Sequence, residues 1–261
     1  MKTPRENITG FLLVVLLAGA VSTVAAPPGM VLIPAGAYRP FFHATTEPEA
    51  VPVKSFYLDT VPVTVGDFLA FVRARPQWQR SKVKAVFADE FYLKNWAADC
   101  DPGLKAPLEA PVTWVSWFAA REYAKWRGKR LPTVAEWERA AGASARRPDG
   151  ENDPAFKQQV LQWYSTPTSP LAHVGQGPAN YWGARDLHGL VWEWTLDFNS
   201  AISGDAQPGG GSSVRGLFCA AGAQGARDVE DYPAFMRWGF RSSLQANYCV
   251  HNLGFRCAKD L

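Results

Sequence analysis

From Asn180 to its end the chain is dense in Gly, Trp and other aromatic residues, and neither strand alternation nor a helical period runs for long. A segment of that kind folds as short strands joined by long ordered loops. Its backbone polar groups then need something besides ladders: buried Trp, side-chain to backbone hydrogen bonds, disulfides or a bound ion. The rest of the sequence can supply the core for such loops to pack on. The 261 residues are 47% hydrophobic and include 11 Trp and 15 Phe, enough for one large core near the upper size limit of a single domain. No internal repeat is visible. The net charge is +3 and the basic residues are scattered, so no phosphate-tracking stripe forms and nucleic acid is not an expected partner.

Residues 1–26 read as a secretory signal peptide: Lys2 and Arg5 precede the apolar run FLLVVLLAGAVSTVAA, which ends in small residues, with cleavage expected near Ala25 or Ala26. The apolar run is shorter than the roughly 20 residues that span a bilayer, so no stable transmembrane span is expected once the signal is removed. An uncleaved anchor is the alternative, because Pro27 suits a cleavage site poorly. Export implies a periplasmic or secreted protein and permits disulfides among Cys100, Cys219, Cys249 and Cys257.

Local signals place several elements. MVLIPAGAYRP predicts a strand and a turn around Pro34–Gly36, and Val51–Leu58 a second strand. Thr64 reads as the N-cap of a helix with Asp67 in its first turn and Val65, Phe68, Leu69 and Val72 on one face. Ser116 caps a helix to about Trp126 that Gly128 ends, and Thr133 with Glu136 forms a capping box for AEWERAA, ended by Gly142. Residues 73–110 read as a long irregular excursion containing Cys100, and residues 143–160 as a polar surface loop without a core of its own.

Taken in order, PAGAY, SFYLDTVPVTVGDFLAFV, APVTWVSWFAAREYAKWRGKRLPTVAEWERAA, DLHGLVWEWTLDF, VRGLF and NLGFRCA resemble the formylglycine-generating enzyme, or sulfatase-modifying factor, domain over about residues 29–259. The resemblance implies one α+β domain with little regular secondary structure, related to the C-type lectin fold. The family's best-known activity is copper- and oxygen-dependent oxidation of a substrate cysteine by two closely spaced enzyme cysteines. Between Cys219 and Cys249 this sequence has none. The usual copper dithiolate cannot form, and formylglycine generation by the usual mechanism is not expected.

Other positions carry over one by one. Cys219 stands at the aromatic position of the family's Gly-Gly-Ser-aromatic turn and Cys249 where the family often has a pocket-lining Ser. They are read either as a disulfide or buried thiols, or as a relocated metal or redox pair, and copper is left open. His251, two residues from Cys249, makes a Cys-x-His pair that extended backbone would put on one face, so Cys219, Cys249 and His251 are the catalytic candidates. Asp228, Glu230 and Asp231 are read as a solvated loop, or as carboxylates placed in the pocket. Cys257 matches the family's terminal cysteine, whose usual partner position is Ala124 here; Cys100 is an alternative partner.

Asp186, Gly189, Val191 and Glu193 match the family's structural calcium site, with carboxylates at both ends and carbonyls between. Trp192, Arg241, Asn252 and Arg256 match pocket positions, although Arg256 is also suited to bracing internal carbonyls. The function this implies is that of a periplasmic accessory or maturation factor with a protein or peptide partner, such as a copper nitrite reductase. The alternatives are a divergent metal- or oxygen-dependent oxidase acting on a peptide, and a lectin-like binding module.

Overall fold

The computed structural model describes residues 25–41, 49–166, 171–199 and 231–261. Residues 1–24 of the expected signal segment and Cys219 lie outside these residues, as do Asp228 and Glu230. Among the described residues no helix is long and apolar enough to cross a membrane.

Among the described residues seven short strands form three small sheets. β1 (Met30–Ile33), β4 (Phe56–Asp59) and β7 (Ala258–Asp260) make an antiparallel sheet in the order β1-β4-β7, so the last residues of the chain pair beside its early strands. β2 (Gly36–Tyr38) and β3 (Val51–Val53) form a separate antiparallel pair, and β5 (Trp192–Glu193) runs parallel to β6 (Leu253–Gly254). The strand expected over Val51–Leu58 is therefore two strands in two sheets. The chain breaks at Lys54–Ser55, where Ser55 Oγ accepts from the Ala35 N–H at 2.8 Å.

The capped helices form where their signals stand. In α1 (Val65–Ala74) Thr64 accepts from the Asp67 N–H, and Val65, Phe68, Leu69, Phe71 and Val72 are buried. In α2 (Trp117–Trp126) Ser116 accepts from the Ala119 N–H. α3 (Val134–Ala141) has the reciprocal Thr133–Glu136 box and ends at Gly142. Two further helices appear where loops or no regular element were expected. α4 (Pro154–Ser165) is capped by Asp153 with Pro154 in its first turn, and it buries Val160. α5 (Tyr232–Ser242) is capped by Asp231, with Pro233 in its first turn. Asp231 is thus a buried cap 3.8 Å from Lys157, neither a solvated loop acid nor a pocket carboxylate.

Two packed clusters hold the fold. The larger gathers Phe68 and Phe71 of α1, Tyr123 of α2, Trp194 and Phe255, with Trp78, Tyr92, Leu93 and Trp96 from the irregular excursion. The smaller lies between β1, β4 and α3, around Ile33, Phe56, Leu58 and Trp137. The loops after Asn180 are held by side-chain hydrogen bonds, as their lack of periodicity requires: the fully buried Trp194 donates Nε1–H to the Val115 carbonyl at 2.9 Å.

Candidate functional site

A cleft of about 720 Å³ opens where the 104–114 loop, the end of α4, the 189–192 segment and the 251–252 turn meet. Its walls are aromatic. Trp192 is stacked on Phe240 of α5 with ring centroids 4.6 Å apart and lies 4.8 Å from the ring of Tyr164, so α4 and α5 both fix its plane. Its backbone N–H donates to the Asn252 carbonyl at 2.8 Å, which ties one wall to the C-terminal turn. Trp114, at the other wall, sits at φ 58, a conformation bulky residues rarely adopt. It is pinned by its own N–H donating to Val250 and by its carbonyl accepting from Leu93. Gly189 is at φ 96, and a Cβ there would come within 2.9 Å of Trp163 Cβ, so this glycine lets α4 close against the cleft.

Behind the cleft, the Trp137 ring lies between two buried ion pairs. On one side Glu138 accepts two bonds from Arg237 Nε and one from Arg237 Nη2, and another from Arg241 Nη1 at 2.5 Å. The Arg241 guanidinium lies over the Trp137 ring at 4.9 Å. On the other side Trp137 Nε1–H donates to Glu193 at 2.7 Å, and Glu193 is clasped by Arg256, with both side chains 0% exposed. Burial alone would push the Glu138 carboxyl up, but Arg237 and Arg241 outweigh it and hold it down at about 2.

The ion pair reaches the cleft through one hydroxyl. Arg237 Nη1 donates to the Tyr164 hydroxyl at 3.3 Å, and that hydroxyl meets His188 Nδ1 at 2.9 Å. His188 Nε2 faces the Ala141 carbonyl at 2.9 Å, and a carbonyl only accepts, so the proton is on Nε2 and Nδ1 accepts from Tyr164. Burial, then the neighbouring Arg237 charge, lowers the imidazole to about 3, so His188 is neutral near pH 7.

The residues expected at a site separate into two groups. Trp192, Asn252, His251, Gly189 and Val191 all line the cleft. Arg241 and Arg256 do not: each is nine-tenths or more buried and spent on a glutamate, and Arg256 also donates to the carbonyls of Asp59, Thr60 and Arg185. Cys249 and His251 are not on one face, because residues 249–252 run into a turn and not a strand; Cys249 is buried while His251 is exposed beside Trp114. Burial, then the Asp89 carboxylate, pushes the Cys249 thiol well above the usual range, so it stays protonated. Among the described residues Cys100, Cys249 and Cys257 are free, and no bridge joins Cys100 to Cys257.

The calcium expectation meets a poor donor set. Glu193 already faces a guanidinium and an indole N–H, which put a fixed cation where a calcium ion would have to bind. Asp186, at φ 56, directs its carboxylate to the N–H groups of Gly175 and Gly177. The carbonyl positions remain, but neither carboxylate is arranged to hold Ca²⁺. Among the described residues no three His, Cys, Asp or Glu side chains converge as a metal centre.

Trp114, Trp163, Tyr164 and His188 belong to the site and carried no sequence signal that singles them out. The nearest hint was the Asp153-Pro154 helix start, which places Trp163 and Tyr164 at the end of α4.

Comparison with known proteins gives residues 18–261 as a match to the family described as Sulfatase-modifying factor enzyme 1-like domain. The chain is 29% identical to the Inactive C-alpha-formylglycine-generating enzyme 2 of Bos taurus, across 80% of this chain and 78% of that protein. It is 30% identical to the Formylglycine-generating enzyme of Streptomyces coelicolor, across 82% of this chain and 81% of that protein. Among solved structures, that of PvdO from Pseudomonas aeruginosa aligns with a TM-score of 0.47 at 20% identity, covering 89% of this chain and 94% of that one.

Proposed function

Since this chain belongs to the sulfatase-modifying factor enzyme 1-like family, we propose that it is an exported accessory protein that binds an extended segment of a partner protein in the aromatic cleft. The cleft carries this reading. Trp114, Trp163, Tyr164 and Trp192 offer wide apolar faces held at little conformational cost, and Asn252 supplies an amide for main-chain recognition. No carboxylate or thiol lines it among the described residues. The one cysteine nearest to it in sequence, Cys249, is a buried and protonated thiol, poorly suited as nucleophile or ligand. Similarity to a relative named inactive supports binding without the usual turnover. A maturation role toward a metalloprotein such as a copper nitrite reductase, in the periplasm or outside the cell, is the form of this reading we favour.

A second reading is a divergent oxidase acting on a peptide, supported by the 30% identity to a formylglycine-generating enzyme. One experiment separates the two. A displayed random-peptide library is selected on the protein and counter-selected on Trp192→Ala, and the selected peptides, with cysteine-containing versions, are incubated with copper and oxygen. Cleft-dependent binding without aldehyde or other oxidised product is the expected result. Peptide oxidation would establish the second reading, and a library without cleft-dependent binders would remove the first.

A further inference from the structure

Two oxygen atoms of residues lining the cleft are buried without partners. Neither Asn95 Oδ1 nor Thr113 Oγ1 has a hydrogen-bond partner among the described residues, although both residues line the cleft. Thr113 is 0% exposed. Buried polar atoms in folded proteins are almost always paired, and one left open beside a cavity marks where an outside group completes the bond. The segments that carry them are tied together at an unusual point. Leu93, two residues before Asn95, is at φ 47, and Trp114, next to Thr113, is at φ 58. The N–H of the first donates to the carbonyl of the second at 2.8 Å. Two left-handed non-glycine residues joined by one hydrogen bond are a strained arrangement, of the kind that collects at binding sites.

The surroundings limit what the pair accepts. No Asp or Glu lines the cleft, so a cationic group has no counter-charge there. The nearby ammonium of Lys94 lies 4.5 Å from the Phe91 ring centroid and 5.9 Å from that of Trp114, which further disfavours a cation. Lys105 also lines the cleft and would draw an anion, but with Asn95 Oδ1 placed as it is a carboxylate would set acceptor against acceptor there. What fits is an uncharged group that both donates and accepts, because Asn95 Oδ1 accepts and the Thr113 hydroxyl is able to donate.

We infer that Asn95 and Thr113 form an amide subsite, in which an Asn or Gln side chain of the bound peptide donates its N–H to Asn95 Oδ1 and accepts the Thr113 hydroxyl proton. This rests on the peptide-binding reading above. It makes the protein selective for partner segments that present a carboxamide between apolar residues.

The same peptide library tests it. Cleft-dependent binders should be enriched in Asn or Gln at one position. Replacing that residue by Leu or Glu in a selected peptide should weaken binding, read by calorimetry, at least about tenfold. Thr113→Val and Asn95→Leu should each shrink the Gln-over-Leu preference to within about twofold. Because the Thr113 hydroxyl has no partner among the described residues, Thr113→Val should keep or raise the thermal midpoint. A lowered midpoint would reveal such a partner and overturn the inference. Cleft-dependent binders that show no carboxamide preference overturn the subsite while the binding reading stands; no cleft-dependent binders at all overturn both.

Discussion

Arg256 shows how a residue can be conspicuous in a sequence motif and still belong to the framework. Its guanidinium has no exposure, clasps Glu193 and collects three backbone carbonyls. Arg256→Met should cost about 3–5 kcal/mol in urea unfolding because it strands a buried carboxylate, and adding Glu193→Leu should recover part of the loss. His188 gives a pH signature. Its folded pKa is lowered to about 3 from an ordinary value of 6.5, so the unfolded chain takes up a proton first as pH falls. Stability is then full above about pH 6.5 and declines as pH falls toward 3, with the loss from Glu138, lowered from 4.5 to about 2, adding at the acid end. Urea midpoints measured from pH 7 to pH 4.5 should fall for the native protein and flatten in His188→Gln. The thiols make a third prediction. In native protein, alkylation followed by mass spectrometry should find Cys249 and Cys257 protected until unfolding, because both are buried and held protonated, while the part-exposed Cys100 reacts earlier.

At the scale of elements, α4 decides whether the cleft has a second wall. Gly189→Ala would force a Cβ toward Trp163 at a positive φ, costing about 1–3 kcal/mol and loosening α4 from the 189–192 segment. Limited proteolysis within 154–166, with a shift in Trp fluorescence, should report it. Helices α1, α2 and α3 were legible because each cap is a local signal: Thr64, Ser116 and Thr133 each bond within three residues. α4 and α5 carry comparable starts, Asp153-Pro154 and Asp231-Tyr232-Pro233. Their few buried residues sit among polar and aromatic neighbours, so no apolar stripe drew attention to them. The strand break at Lys54–Ser55 left a local trace, two polar residues in a row that shift the apolar phase from Val51 and Val53 to Phe56 and Leu58, but only the pairing partners show that the halves belong to different sheets.

For the whole molecule, the site divides by the range of its interactions. Trp192 and Asn252 were placed in the cleft through their motif. Arg241 was misplaced and Arg256 took the bracing role that was its alternative, because a buried arginine and a pocket arginine look alike until their partners are known. Those partners lie far off in sequence: Arg241 reaches Glu138 over 103 residues and Arg256 reaches Glu193 over 63. The same ion pairing predicts the response to chelation. With Glu193 satisfied by Arg256 and Trp137, adding EDTA or Ca²⁺ should leave the thermal midpoint unchanged, and a rise with Ca²⁺ would show that Glu193 exchanges partners.

The sheet order β1-β4-β7 also sets a timetable. β7 pairs with β4 across about two hundred positions, Arg130 bridges to Ala258, and Asp260 answers Arg130 beside Glu136. Contacts of such long sequence separation carry a loop-closure cost that slows assembly. β1 can pair with β4 and the Thr133–Glu136 cap can close before then, but the free edge of β4 and the Arg130 anchor stay unfilled until β7 arrives, so the three-stranded sheet is among the last parts of the fold to be completed.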